Sequence, residues 1–240
     1  MKKTKNKNFL LPKKNKNKEK MSKNRPRMLI SNKKDSEQAE QFRMIRTNIE
    51  FINKKRHIKQ ILITSAQSKE GKSTVIANLA DIMGRQNLKI LIIDADLRKP
   101  TQHHILSVPN SVGLADVLRK KLAYKECIQE TFFLNVDVVT AGMRPHNPSE
   151  LLSSLVFIEA LDYYSQHYDY ILIDSPPAVV VDTQILASQI EGTVVVVEEN
   201  STKKHELQNI LTLLQKTDTT MLGIILNKSK KKNNNPYYNY

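Results

Sequence analysis

The sequence predicts a three-layer α/β domain on a mainly parallel central sheet, and three observations carry that prediction. Several short apolar runs lack polar alternation, the mark of strands buried on both faces. Between them lie longer stretches with the helical spacing of apolar residues. The two patterns alternate along the chain, which favours crossover connections and parallel pairing. At 240 residues and 40% apolar content, the chain is long enough to bury one sizeable core.

The N-terminal arm, residues 1–35, stands apart. Residues 1–34 carry 14 Lys or Arg against one acid, Glu19, whereas the rest of the chain carries 24 basic and 23 acidic residues. Of the net charge of +14, +13 therefore belongs to residues 1–34 (14 basic minus one acidic). Rich in Lys and Asn and nearly free of apolar residues, such a segment cannot offset its ordering entropy and is expected to be disordered. An anionic membrane leaflet would attract it by about 1 kcal/mol per basic residue. A solvated tail with no partner is the equal alternative. Nucleic acid is the other polyanion such an arm could bind, but the nearly neutral remainder disfavours it.

From Ser36 to Phe51 the spacing predicts a helix. Ser36 is its N-cap, and Phe42, Ile45, Ile49 and Ile52 share one face. Glu40, Arg43 and Arg46, three apart, form a charged ridge beside that face. The ridge is either a solvated face or a self-association surface.

Next comes Ile61-Leu-Ile-Thr-Ser-Ala-Gln-Ser-Lys-Glu-Gly-Lys-Ser-Thr74: a strand, a polar loop, then a helical run from Val75 to Arg85. Strand, loop and helix with Gly71-Lys72-Ser73-Thr74 at the hinge is a phosphate-binding arrangement, a P-loop. Backbone N–H groups and the positive end of the helix face the anion. Lys72 reaches the phosphates and Ser73 ligates Mg²⁺. The motif departs from its usual form at the first glycine, which is Ala66 here.

Further strands are expected over Lys89–Asp96, Asn135–Val139, Tyr168–Asp174, Gly192–Val197 and Met221–Leu226. The intervening helices are expected over Leu114–Lys120, Pro148–Gln166, Asp182–Gln189 and Lys203–Lys216. All strands of a parallel sheet end on one edge, where ligands bind. Asp94, Asp96 and Asp174 should therefore converge on the P-loop, giving the carboxylates, lysine and serine that a Mg–nucleotide site requires. Asp182 precedes a helix and reads as its cap. Cys127, the single cysteine, excludes an internal disulfide and fits either a reducing compartment or a small core residue. No apolar run approaches the ~20 residues of a membrane span, so a cytoplasmic location is expected.

The run Leu91-Ile-Ile-Asp-Ala-Asp-Leu-Arg-Lys-Pro100 resembles an acidic motif of the bacterial tyrosine kinases of capsule and exopolysaccharide synthesis. Four other stretches agree: Glu40-Gln-Phe-Arg-Met-Ile-Arg-Thr-Asn-Ile49, Asn147-Pro-Ser-Glu-Leu-Leu152, Ile171-Leu-Ile-Asp-Ser-Pro-Pro177 and Pro236-Tyr-Tyr-Asn-Tyr240. The resemblance spans about residues 36–240. It implies a kinase domain over 36–228, with 36–55 as the self-association helix, and a flexible tail over 229–240. Within the domain it implies a nucleotide loop of Gly71, Lys72, Ser73 and Thr74, with Lys72, Asp94 and Asp96 catalytic. Ser73, Asp94, Asp96 and Asp174 would serve the metal, and ATP and Mg²⁺ would be the cofactors. Tyr237, Tyr238 and Tyr240 become autophosphorylation sites, and Glu40, Arg43 and Arg46 a ring-forming motif. The implied partners are a membrane-bound activator of the polysaccharide co-polymerase type and a cognate tyrosine phosphatase. The activator would hold the chain at the inner face of the membrane.

The family often has Pro-Gly where this chain has Ser68-Lys69, a loss that costs ~1–2 kcal/mol if the turn needs a positive φ. A partitioning-type ATPase using the arm on DNA or membrane is the alternative function. That class carries a lysine where this chain has Gln67, and it gives no reason for three tyrosines in a tail without a core to join.

Overall fold

The computed structural model describes residues 36–54 and 56–229. The basic arm and the tyrosines Tyr237, Tyr238 and Tyr240 lie outside the described residues. Helix α1 (Glu37–Asn53) opens the domain, capped as expected by Ser36, whose hydroxyl accepts from the Ala39 N–H at 3.2 Å. Strand β1 (Gln60–Ser65) leads through the P-loop into α2 (Lys72–Gly84), and β2 (Ile90–Asp94) follows. Then come α3 (Gln102–Leu106), α4 (Leu114–Leu118), a 3₁₀ turn over Tyr124–Cys127, β3 (Ile128–Glu130) and β4 (Val136–Val139). The rest is α5 (Pro148–Leu152), α6 (Leu155–Ser165), β5 (Tyr170–Asp174), α7 (Val181–Ala187), β6 (Gly192–Glu198), α8 (Lys204–Leu214) and β7 (Thr220–Asn227).

The strands form one seven-stranded sheet in the order β3-β4-β2-β5-β1-β6-β7. All neighbours pair in parallel except β3 with β4. The unbroken apolar runs have the predicted cause: successive side chains point to opposite faces, and both faces are covered. Ile61, Ile90, Ile92 and Val194 pack with α1, α2 and α3 on one side. Leu62, Leu91, Ile93 and Val195 pack with α4 to α8 on the other.

Three expectations need correction, and the core position expected of Cys127 is found. β7 is a half-exposed edge strand rather than a buried one, with Met221, Ile224 and Leu226 open to solvent. Its run is apolar because alternate residues meet the core while the others line the margin of the sheet. The stretch from Pro148 to Gln166 is two helices, because Ser154 takes an extended ψ of 150° between them. Ile52 lies at the exposed end of α1, while Ile49 is buried and Phe42 and Ile45 pack against the core. Cys127 is a buried core residue, its thiol 3.1 Å from the Tyr124 carbonyl oxygen.

Candidate active site

The site forms where β1, β2 and β5 end together. Asp94 and Asp174 are register partners on adjacent strands, so their carboxylates are side by side and fully buried. Asp96 sits two residues past the end of β2, in the loop, and is also buried. Facing them, Gly71 takes φ 90°, a left-handed conformation that suits glycine. A Cβ there would come within 2.3 Å of the Asn227 amide nitrogen. That turn starts α2 at Lys72 and brings Lys72, Ser73 and Thr74 into its first turn.

Lys72 Nζ lies 2.8 Å from Asp174 Oδ1, 3.4 Å from Ser73 Oγ and 3.8 Å from Asp96 Oδ2. Burial opposes the charge on Lys72, but Asp174 above all, then Asp96 and Asp94, hold its pKa above the ordinary lysine value. Asp94 is pushed up to about 8, chiefly by burial and then by the neighbouring Asp174 charge. Burial also raises Asp96, against the pull of Lys72.

A divalent cation fits this arrangement. Among the described residues no three His, Cys, Asp or Glu side chains form a cation cage on their own. Magnesium does not need one, because phosphates and waters supply most of its ligands. Three oxygens already surround the Lys72 ammonium, and two buried acceptors, Asp174 Oδ1 and Gln102 Oε1, lack an aligned hydrogen bond. Ser73 and Asp174 could hold such a metal, with Asp96 beyond them.

The two loops facing Lys72 are held differently. Lys69 adopts φ 71° where the family often has glycine, so the strain expected from the sequence is present. Straps offset it. Lys228 Nζ donates to the Lys69 carbonyl at 2.8 Å and pairs with Glu198 at 2.7 Å. The Asn227 amide donates to the Glu70 carbonyl at 2.7 Å, and the buried Glu70 carboxylate accepts from the Gln67 N–H and the Thr202 hydroxyl. In the loop after β2, Asp94 Oδ2 accepts from the N–H groups of Thr101 and Gln102, each at 3.0 Å, and Asp96 Oδ1 from that of Lys99 at 2.9 Å.

Asp182 is not a helix cap. It lies in the first turn of α7, whose N-cap is Val180. Fully buried, it accepts two hydrogen bonds from Arg98 at 2.7 and 3.0 Å and one from Ser149 at 2.5 Å. Burial works against its charge, but those donors hold its carboxyl below the usual range. Of the α1 ridge, Glu40 and Arg43 pair at 2.5 Å, whereas Arg46 turns to Glu50 at 3.4 Å and is largely buried. These three residues are not part of the phosphate site.

Sequence reasoning missed Thr101, Gln102, Arg98, Asn227 and Lys228. Asn227 and Lys228 carried a usable signal, because polar residues at the C-terminal end of a parallel strand lie at the ligand edge. Gln102, a buried polar residue at the start of a short, partly exposed helix, carried none.

Comparison with known proteins agrees with this fold. The AAA domain family matches residues 58–228. The tyrosine-protein kinase YwqD of Bacillus subtilis (strain 168) is 41% identical over 203 residues, 84% of this chain and 86% of that protein. The crystal structure of the chimerical protein CapA2B2 superposes with a TM-score of 0.81 at 37% identity, over 85% of this chain and 91% of that one. The septum site-determining protein MinD from Pyrococcus horikoshii OT3, solved with Mg-ADP, is more distant. Its TM-score is 0.64 at 26% identity, over 73% of this chain and 72% of that one. The chain is thus more similar to these kinase relatives than to MinD, and it belongs to the bacterial tyrosine kinases.

Proposed function

We propose that this chain transfers the γ-phosphoryl group of Mg–ATP to tyrosine hydroxyls, first of all Tyr237, Tyr238 and Tyr240 of a neighbouring copy, and so regulates capsular or exopolysaccharide synthesis and export. As a member of its family the chain is a protein-tyrosine kinase. The observation that supports the finer reading is the meeting of Lys72, Ser73, Asp94, Asp96 and Asp174 at the edge where β7 ends. Asn227 touches the P-loop, and Tyr237 follows ten residues later. Ten extended residues reach about 33–36 Å, enough for a neighbour's site.

Ser73 and Asp174 would hold magnesium, which when bound would supply neutralisation of the phosphate charge. Lys72 exchanges Asp174 for phosphate oxygens. The tyrosine oxygen bonds to the γ-phosphorus, the bond to the β–γ bridging oxygen breaks, and ADP leaves. Burial divides the work of the two acids. Asp94 is closed off by the Thr101 and Gln102 N–H groups and sets the charge of the site. Asp96, whose side chain keeps 9% exposure, takes the phenol proton.

The α1 motif Glu40, Arg43 and Arg46 holds copies in a ring, a membrane-bound activator stimulates the reaction, and a tyrosine phosphatase resets the tail. The arm 1–35 adds attraction to anionic lipid. The activator brings the chain to the membrane's inner face; no helix among the described residues is long and apolar enough to cross a membrane. The ATPase alternative lacks its second lysine: Gln67 instead donates to Glu206 at 3.0 Å.

The test is incubation with Mg–ATP, with and without the activator's cytoplasmic segment, followed by mass mapping of phosphotyrosine. Label on residues 237, 238 and 240 is expected. In a mixture, a Lys72→Met chain should be labelled by an active chain lacking the tail. No label on the Lys72→Met chain would overturn transfer between copies.

A further inference from the structure

The most connected part of the site is a pair of residues with no role so far. Thr101 Oγ1 donates to Ser73 Oγ at 2.8 Å. The Gln102 amide nitrogen donates to Asp174 Oδ2 at 2.7 Å and to the Ser73 carbonyl at 3.2 Å. The backbone N–H groups of both residues close on Asp94 Oδ2. Two consecutive residues thus join the P-loop serine, the β2 acid and the β5 acid, which stand on three different elements.

We propose that Thr101 and Gln102 are positioning residues of the nucleotide–metal site: the Thr101 hydroxyl orients Ser73 as a magnesium ligand, and the Gln102 amide ties the turn carrying Ser73 to Asp174. The inference rests on the nucleotide-site reading above and deepens it. Two acceptors fix the orientation of the amide. Reversed, it would set an oxygen against a carboxylate and a carbonyl. The fully buried Gln102 then has its Oε1 with no partner, at a cost that an apolar side chain of the same shape would avoid. A buried acceptor left open beside two acids suits a site that receives a hydrogen-bond donor or a cation with its ligand. Thr101 holds one side of the Ser73 oxygen, and the other side, which accepts from Lys72 Nζ at 3.4 Å, would open to the metal once that lysine turns to the phosphates. Groups that orient metal ligands in this way contribute about 10–100-fold to metal affinity.

The experiment titrates free Mg²⁺ into the full chain with a fluorescent non-hydrolysable ATP analogue, alongside the same analogue in EDTA. Thr101→Val should raise the half-saturating Mg²⁺ concentration by about 10–100-fold and leave the affinity in EDTA unchanged. Thr101→Ser should restore the wild-type midpoint. Gln102→Met, similar in shape but without the amide donors, should shift the midpoint in the same direction, and Thr101→Ala serves if the valine variant melts early in EDTA. A wild-type midpoint in folded Thr101→Val and Thr101→Ala would overturn the proposal. So would failure of Thr101→Ser to rescue, because packing of the methyl group would then be the cause. A wild-type chain whose nucleotide binding ignores Mg²⁺ would overturn the nucleotide-site reading as well, a result visible before any variant is made.

Discussion

The P-loop and the loop after β2 face the same lysine but draw their rigidity from opposite sides. The P-loop is strapped from outside, by Asn227 and Lys228 on its carbonyls and by Thr202 on Glu70. The loop after β2 is held from within, by buried carboxylates that accept its own N–H groups. External straps can tolerate a strained backbone, which is how a lysine occupies a position at φ 71°. Internal supports are part of the chemistry, so they cannot change without changing the site.

Four tests probe that contrast, from the largest expected effect. Lys72→Met should lower tyrosine labelling by at least about 10²-fold, the loss typical of one removed transition-state donor, with circular dichroism unchanged. Near-normal labelling in the folded variant would remove Lys72 from the mechanism. Arg98→Ala should come next. It leaves the buried Asp182 charge to Ser149 alone, and with Arg98 39% exposed the cost is about 2 kcal/mol, below the 3–5 of a fully buried pair. Urea unfolding measures it, and a cost under about 0.5 kcal/mol, the range of ordinary surface changes, would show that the loop does not depend on that support.

The third test is pH. Asp94 sits at about 8 in the folded chain against about 3.9 unfolded, so folding takes up a proton between those values. Its contribution is full below about pH 4 and is lost as pH rises through about 8. The melting temperature of the ligand-free protein should therefore fall from pH 6 to 9, and Asp94→Asn should flatten the fall; equal slopes would contradict the assignment. The smallest effect is at the strap. Lys69→Gly should stabilise by roughly 0.5–1 kcal/mol through relief of the left-handed backbone. Lys228→Met should destabilise by less than about 1 kcal/mol, as exposed pairs do.

The contrast also explains what was legible beforehand. Unbroken strands such as Ile90–Asp94 and the Gly71–Thr74 hinge announce themselves, because burial on both faces and an anion-binding turn each demand particular residue types in sequence. The parallel topology then placed Asp94 and Asp174 together, and they proved to be register partners. Contacts made at long range by ordinary polar residues left no local trace. Arg98 meets Asp182 across 84 positions, and Gln102 meets Asp174 across 72. Asp182 was misread for that reason: an acid before a helix looks like a cap, and only its distant partners make it a buried hub. Short β3 was missed because three residues at the sheet margin carry no periodicity.

The Lys72–Asp174 contact has a consequence for turnover. Any nucleotide that engages Lys72 must displace a carboxylate 2.8 Å away, so the protein carries its own competitor for the phosphates. ATP, with one more phosphate to offer, withstands that competition better than ADP. Under the proposed mechanism, Asp174 should reclaim the lysine once transfer is complete and so hasten departure of the spent nucleotide. Neutralising this rival with Asp174→Asn should therefore slow ADP dissociation in stopped-flow displacement with the metal chelated.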